Sequence, residues 1–335
     1  MERSCLPQLS RDSLKMHSPA TKDSSGDLAD QPPENLLASA DMAGESAGLH
    51  TRQNTQAMRT DAYEIVIKAG QTERLYWPDL WRYRELLFLL AYRDVSVHYK
   101  QTIIGVAWAL IRPLATMLVF VFVFSKVAGL PSDDVPYPLL VMAGMLPWQL
   151  FASALGESSN SLVNNANLVS KVYFPRLIVP LSALAVSLVD FLICLPVLVA
   201  LMFAYQITPT WRLALLPVFL CLAMTAACSL GLWLCALNVR YRDVRYAIPF
   251  IVQFGLYLSP VGYSSSIVPA EWRWLYSLNP MAGVIDGMRW SLFGASMNCP
   301  LGDASFAASI AVMVFALVGG VWYFRRTERT FADVI

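Results

Sequence analysis

The sequence predicts an all-α membrane protein: six transmembrane helices, preceded by an amphipathic interface helix and interrupted before the last span by two short re-entrant helices. Three observations lead there. The 335 residues are 56% hydrophobic and only 15% charged, an apolar excess that a water-soluble globule lacks the polar residues to cover. The apolar residues gather into six stretches, each near the roughly 20 residues that cross a bilayer core. Lys and Arg concentrate on one set of connecting segments, as they do on the cytoplasmic side of a membrane.

Residues 1–60 are rich in Ser, Ala, Asp and Gln, contain Pro32-Pro33, and never collect the apolar run of a signal peptide. They read as a disordered cytoplasmic tail, either regulatory or a dispensable extension. Residues 61–102 form a cytoplasmic segment in which Pro78 and Asp79 signal a helix start ahead of Leu80. On a helical wheel Leu80, Tyr83, Leu87, Leu90 and Ala91 share one arc, with Arg82, Glu85 and Arg93 opposite and Arg84 the exception. Such a helix fits the membrane interface just before the first span.

The candidate spans cover about 103–128, 137–156, 177–205, 211–237, 246–263 and 304–324, within a transmembrane domain of 103–325 followed by a cytoplasmic C-terminus, 326–335. Each must be helical, because lipid offers backbone amides no other partner. Pro113, Pro147, Pro180, Pro196, Pro217, Pro249 and Pro260 fall within or near the ends of these spans. Bundled membrane helices tolerate them, since neighbours satisfy the freed carbonyls.

Orientation follows from charge. With the N-terminus inside, the cytoplasmic flanks hold twelve basic residues: Arg82, Arg84, Arg93, Lys100, Lys171, Arg176, Arg240, Arg242, Arg245, Arg325, Arg326 and Arg329. The outer flanks hold four, Lys126, Arg212, Arg273 and Arg289, so both termini are expected in the cytoplasm. Trp272–Phe293 is apolar, yet it carries Arg273, Asp286 and Arg289 and is broken by Asn279-Pro280. A seventh span would bury three ionisable groups and place the last three arginines outside. Two short helices dipping in from the outer face avoid both, and such backbone must pack on protein or line a water-filled cavity.

The net charge of +1 leaves no electrostatic footprint for nucleic acid. Of six cysteines, Cys194, Cys221, Cys228 and Cys235 lie inside apolar stretches, against a disulfide framework. The last three recur every seven residues, about 10 Å apart along a helix, too far for one metal ion to bridge; small residues at a helix contact account for them. No Gly-Lys dipeptide occurs, so the phosphate-cradling loop of ATPases is absent. Neither a G-x-S-x-G elbow, an H-E-x-x-H helix nor a histidine cluster is present, and no metal or catalytic site is assigned.

Two cytoplasmic loops carry candidate contacts. Ser158–Arg176 starts polar, continues as a short Asn-rich helix and ends with exposed Val172, Tyr173 and Phe174 before Pro175; it reads either as a knob for a partner's groove or as an interfacial anchor. Asn238–Tyr246 alternates basic and aromatic residues, the ordinary composition of a topological anchor. Arg112 and Asp190 are the ionisable groups placed deepest in the spans. Arg112 either snorkels to the cytoplasmic surface or, with Trp108, Thr116, Phe120 and Phe124 at four-residue steps, belongs to a stripe facing a conduit. Aromatic faces there can stack on sugar rings, each contact worth about 1 kcal/mol, and many weak sites let a polymer slide. Packing or belt residues are the plainer reading of the same aromatics.

The runs YKQTIIGVAWALIRPL (Tyr99–Leu114), YPLLVMAGMLPWQLF (Tyr137–Phe151), NLVSKVYFPRLIVPL (Asn167–Leu181), LNVRYRDVRYAIPF (Leu237–Phe250), LSPVGY (Leu258–Tyr263) and LNPMAGVIDGMRW (Leu278–Trp290) together resemble the permeases of bacterial polysaccharide ABC exporters. These are type-2 ABC transporter membrane subunits, and the resemblance covers about 75–334. It implies a homodimer paired with two ATP-binding cassette subunits, which bind the ATP and Mg; no cofactor is implied on this chain. The implied substrate is a lipid-linked polysaccharide, O-antigen-like, crossing the bacterial inner membrane. The resemblance further implies ATPase coupling through Asn167, Leu168, Lys171, Val172, Tyr173 and Phe174, with Leu87 and Tyr92 of the interface helix. A channel is expected near Trp108, Arg112, Thr116, Phe120, Trp148, Phe151, Phe254 and Tyr257, and re-entrant helices carrying Trp272, Trp274, Pro280 and Trp290. The alternative within transport is a type-2 exporter of drugs or small amphiphiles. A membrane glycosyltransferase would need clustered acids or histidines, and a secondary carrier an internal repeat; neither is found.

Overall fold

The computed structural model describes residues 76–100, 105–131, 134–208, 210–294 and 303–331. The expected N-terminal tail lies outside the described residues, which all belong to the unit Glu73–Ile335. Helix α1 (Tyr76–Arg82) and α2 (Arg84–Lys100) precede α3 (Gly105–Phe120), which continues as a π-helical turn, Val121–Val127. Then come α4 (Tyr137–Asn164), the short α5 (Ala166–Lys171), α6 (Ile178–Ala204) and α7 (Leu216–Arg240) with its 3-10 lead-in Trp211–Leu215. The chain continues through α8 (Val244–Leu258), α9 (Arg273–Ser277), α10 (Pro280–Phe293) and α11 (Ala304–Thr327), closing on a 3-10 turn, Glu328–Thr330. No strand occurs among the described residues.

Among the described residues, five segments are long and apolar enough to cross a membrane: Ala107–Val127, Tyr137–Asn164, Ile178–Ala204, Trp211–Arg240 and Ala304–Thr327. The sixth apolar helix, α8, has 15 residues, about 22 Å at 1.5 Å per residue. The irregular segment Ser259–Tyr263 completes the stretch read from the sequence.

Helix α4 forms the centre, with 78% of its most apolar window buried against 11% for the peripheral α3. Its first half is apolar on every side, and its second half carries small residues that allow α6 and α7 to approach closely. This helix corrects the sequence boundary at 156: residues 158–164 extend the span rather than begin a loop. Serines look like loop residues in a hydropathy reading, but Ser159 and Ser161 close their hydrogen bonds within the helix. The hydroxyls of Ser159 and Ser161 donate to the carbonyls of Leu155 (2.5 Å) and Ser158 (2.7 Å). Helices α7 and α11 pack through Trp233, whose indole N–H donates to the Ala316 carbonyl at 2.9 Å. Gly320 makes that packing possible, since a Cβ there would stand 2.8 Å from the Ser229 carbonyl oxygen.

Contacts between distant residues define the two ends of the bundle. At the basic end, Leu90, Leu162, Val169, Phe174, Ile178, Leu232, Phe324 and Phe331 share an apolar cluster. Arg93 there donates to Asn165 at 2.6 Å and pairs with Asp94 at 2.7 Å. At the far end, the Tyr137 hydroxyl donates to the Gly262 carbonyl, and Arg212 lies 5.1 Å over the Trp290 ring. Pro113, Pro147, Pro196 and Pro249 sit inside helices, whereas Pro217 is at a helix start and Pro260 in the turn after α8.

The interface helix is longer than its amphipathic arc indicated. Leu80, Tyr83 and Leu87 pack on the basic-end cluster and Leu90 is buried within it, so the arc read as a membrane-interface face lies against the protein. Helix α2 then continues to Lys100 alongside α6, where the Tyr99 hydroxyl donates to the Asp190 carboxylate. Asp190 lies twelve residues into α6, roughly 18 Å along it. A carboxylate at that depth is held by a donor from another helix.

The heptad cysteines do not share one environment: Cys221 is exposed, Cys228 half-buried and Cys235 buried beside Ser161, 3.7 Å away. A straight helix drifts about 20° per heptad, enough to carry the face from surface to core.

Candidate functional site

Three features stand out: a projecting loop at the basic end, two uncovered apolar faces on α3 and α8, and the re-entrant assembly at the far end.

The loop forms because α4 stops at Asn165, whose side-chain amide donates back to the Ser161 carbonyl at 2.9 Å. One short helix follows, and Val172 adopts an extended conformation ahead of Pro175. Asn167 and Lys171 are exposed, as are Val172 (50%) and Tyr173 (59%). Phe174 is not part of the projection, a correction to the sequence reading: it is 5% exposed and belongs to the basic-end cluster. The chain turns inward at Phe174-Pro175, and a phenyl ring at that corner gains more from the apolar cluster than from water. Leu168 and Leu87 also lean on this cluster, leaving Tyr92, at 72% exposure, as the outward-facing choice on α2. Sequence reasoning missed Trp81, Phe88 and Leu89, which are all exposed beside Tyr92's face of α1 and α2. The run Leu86–Leu90 supplies two apolar arcs, and a single-arc wheel reading sees one.

Along α3, Trp108, Ile111, Leu118, Val119 and Phe122 are exposed, with Arg112 among them. Among the described residues the Arg112 guanidinium has no hydrogen-bond or ion-pair partner; Thr116 donates to the Arg112 carbonyl (2.9 Å), not to its side chain. Phe120 is half-buried against Phe124 and beneath Gly262. On α8, Phe254 and Tyr257 are exposed, and Tyr246 and Phe250 extend the same aromatic ladder. Phe250 and Phe254 touch, with ring centroids 4.7 Å apart. Trp148 and Phe151 correct the expectation: both are 5% exposed and pack on each other inside the bundle. Trp148 lies directly behind α8, where a Cβ on Gly255 would meet its ring at 2.7 Å. An all-apolar helix such as α4 gives no periodicity from which to tell which aromatics face outward.

At the far end the two expected short helices are α9 and α10, joined at Asn279, whose side chain accepts from the Met281 N–H at 3.0 Å. Pro280 opens α10, Trp272 and Trp274 are exposed, and Trp290 is buried under Arg212. Arg289 departs from its expected place on the outer flank: it is 2% exposed. Its guanidinium donates to the carbonyls of Leu140 (3.0 and 3.2 Å), Val261 (3.0 Å) and Tyr263 (2.9 Å). Gly144 makes room, since a Cβ there would stand 2.6 Å from the guanidinium. Ser265 donates to Asp286 at 2.6 Å and Asn279 to Ser259 at 2.8 Å. The irregular segment Ser259–Ser265 is thus pinned by side chains from α4, α10 and the α9–α10 junction. Such support is what non-helical backbone at membrane depth requires.

Among the described residues no three His, Cys, Asp or Glu side chains come together as a metal site.

Comparison with known proteins adds the decisive observation: residues 85–293 match the model of the ABC-2 type transporter family. The chain belongs to that family. This ABC-2 transporter membrane protein is 28% identical over 261 residues to an O-antigen export system permease from Myxococcus xanthus, covering 77% of the chain and 98% of that relative. It is 26% identical to a protein of the same description from Klebsiella pneumoniae, covering 75% and 95%. A polysialic acid transport protein from Escherichia coli is 23% identical over 64% of the chain and 84% of its own length. The family match begins in α2 and ends at the last residue of α10, so it takes in the loop, both uncovered faces and the re-entrant helices.

Proposed function

We propose that this ABC-2 chain is the channel-forming permease of an exporter that moves a lipid-linked, O-antigen-like polysaccharide across the bacterial inner membrane. It acts as a homodimer with two separate ATP-binding subunits, which hold the ATP and Mg. The observation that carries the reading is the aromatic ladder of α8, Tyr246 to Tyr257, left uncovered among the described residues. Helix α3 presents a second uncovered face, with Arg112 within its apolar surroundings. A lone cation facing lipid costs several kcal/mol, whereas one facing water or a partner protomer does not. Two copies meeting along α3 and α8 would enclose a path lined with aromatic faces, each a weak and sequence-tolerant platform for a sugar. The similarity to an O-antigen export permease and a polysialic acid transport protein supports that cargo.

In this reading the basic end faces the cytoplasm, six helices cross the bilayer, and both termini lie inside. Asn167, Lys171, Val172 and Tyr173, with Tyr92 alongside, form the contact for the ATP-binding subunit. Paired aromatic and aliphatic knobs in a short loop suit a groove.

The test is reconstitution of the permease with its ATP-binding subunit in vesicles preloaded with labelled glycolipid. ATP-dependent appearance of the glycan on the opposite side is expected. Replacing both Val172 and Tyr173 with Ala lowers copurification of the ATP-binding subunit about tenfold or more, the usual scale for losing interface anchors. Glycan movement without ATP, or full pairing of the double variant, contradicts the reading.

A further inference from the structure

The loop that projects Val172 and Tyr173 is tied to the other end of the chain. The backbone N–H of Arg176 donates to Glu328 Oε1 at 2.9 Å, and the Arg176 guanidinium donates back to the Glu328 backbone carbonyl. These partners are 152 residues apart in sequence. Three residues beyond Glu328, the Phe331 ring is fully buried, edge-on to Phe324 at 5.3 Å. It shares its apolar cluster with Phe174 and Val169, the inward-facing residues on either side of the projection. The exposed tip of the loop therefore stands on a base built partly by the segment after α11.

We propose that Glu328 and Phe331 are positioning residues for the α5–α6 loop. They hold its base against α11, so that displacement of Val172 and Tyr173 moves α6 and α11 together instead of flexing the loop. The inference rests on the loop being the contact for the ATP-binding subunit. Its physical basis is the shape of the connection: Val172 N–H still bonds α5, and Ile178 N–H bonds the Pro175 carbonyl. Pro175 has no N–H to offer, and Arg176, the next donor before α6, is taken by Glu328. A short segment without its own repeating hydrogen bonds transmits force only if something outside it fixes its shape.

The experiment uses the complete transporter, permease with its ATP-binding subunit, in vesicles, comparing wild type with Glu328→Ala, Glu328→Gln and Phe331→Ala. Glutamine keeps an oxygen acceptor for the Arg176 N–H; alanine removes it. In Glu328→Ala, amide exchange in the peptide spanning residues 172–178 rises about tenfold, matching loss of a hydrogen bond to a charged acceptor. The ATP-binding subunit still copurifies, but glycan exported per ATP hydrolysed falls about threefold, a typical coupling change. Glu328→Gln restores most of both, and Phe331→Ala follows Glu328→Ala. Unchanged exchange and an unchanged export ratio in Glu328→Ala overturn the proposal. So does exchange that rises evenly over every helix, which assigns Glu328 to general stability. If the Val172 and Tyr173 variants pair normally with the ATP-binding subunit, the underlying reading fails instead, and the exchange result identifies which of the two has failed.

Discussion

A guanidinium enclosed among apolar helices is tolerable only where acceptors surround it, and Arg289 finds them in the carbonyls of Leu140, Val261 and Tyr263. Those carbonyls need the donor as much as the cation needs them, because two belong to a turn with no helix to satisfy them. Replacing Arg289 with Met strands buried acceptors and lowers stability by about 3–5 kcal/mol. Thermal unfolding of the purified protein in detergent should show a clearly lower midpoint, with Lys recovering only part; an unchanged midpoint for Met contradicts this role. Little of it was legible beforehand. The sequence places Arg289 near an outer flank, and nothing local connects it to Leu140, 149 residues away. Phe174 is a similar case: its neighbours Val172 and Tyr173 project as read, but the cluster that takes Phe174 in is assembled from four distant segments.

At the scale of elements, reading was easiest where composition changes along the chain and hardest where it changes around a helix. The long apolar stretches, the break at Asn279-Pro280 and the Asn-rich helix α5 all announce themselves by position, and all are present. Which face of an apolar helix meets its neighbour does not, so α8 and α4 part company: Phe254 and Tyr257 are outward, Trp148 and Phe151 inward. That division predicts different outcomes for similar substitutions. Phe254→Ala with Tyr257→Ala should leave the unfolding midpoint near wild type and slow glycan export several-fold, at about 1 kcal/mol per aromatic platform. Trp148→Ala should instead destabilise the fold by about 3–5 kcal/mol through the cavity it leaves. Equal loss of stability in both variants would contradict the assignment of α8 to a passage.

Across the whole molecule, residue pairs separate two ends of the bundle, and the charge pattern proposes which of them faces the cytoplasm. Arg93 with Asn165 and Arg176 with Glu328 belong to one end of the bundle, and Tyr137 with Gly262 to the other. Each long helix runs between them, so the chain returns to the basic end after α4, α7 and α11. The proposed division of labour depends on that threading, since a loop that receives force from an ATP-binding subunit must lie on the same side as ATP. Single cysteines in a cysteine-free background, probed in intact cells with a membrane-impermeant maleimide, measure it directly. Cysteines replacing Tyr173, Arg242 and Arg329 should react only after the cells are permeabilised, while those replacing Trp211 and Trp272 should react before. A cysteine at position 329 that labels from outside while one at 173 stays protected would contradict the account.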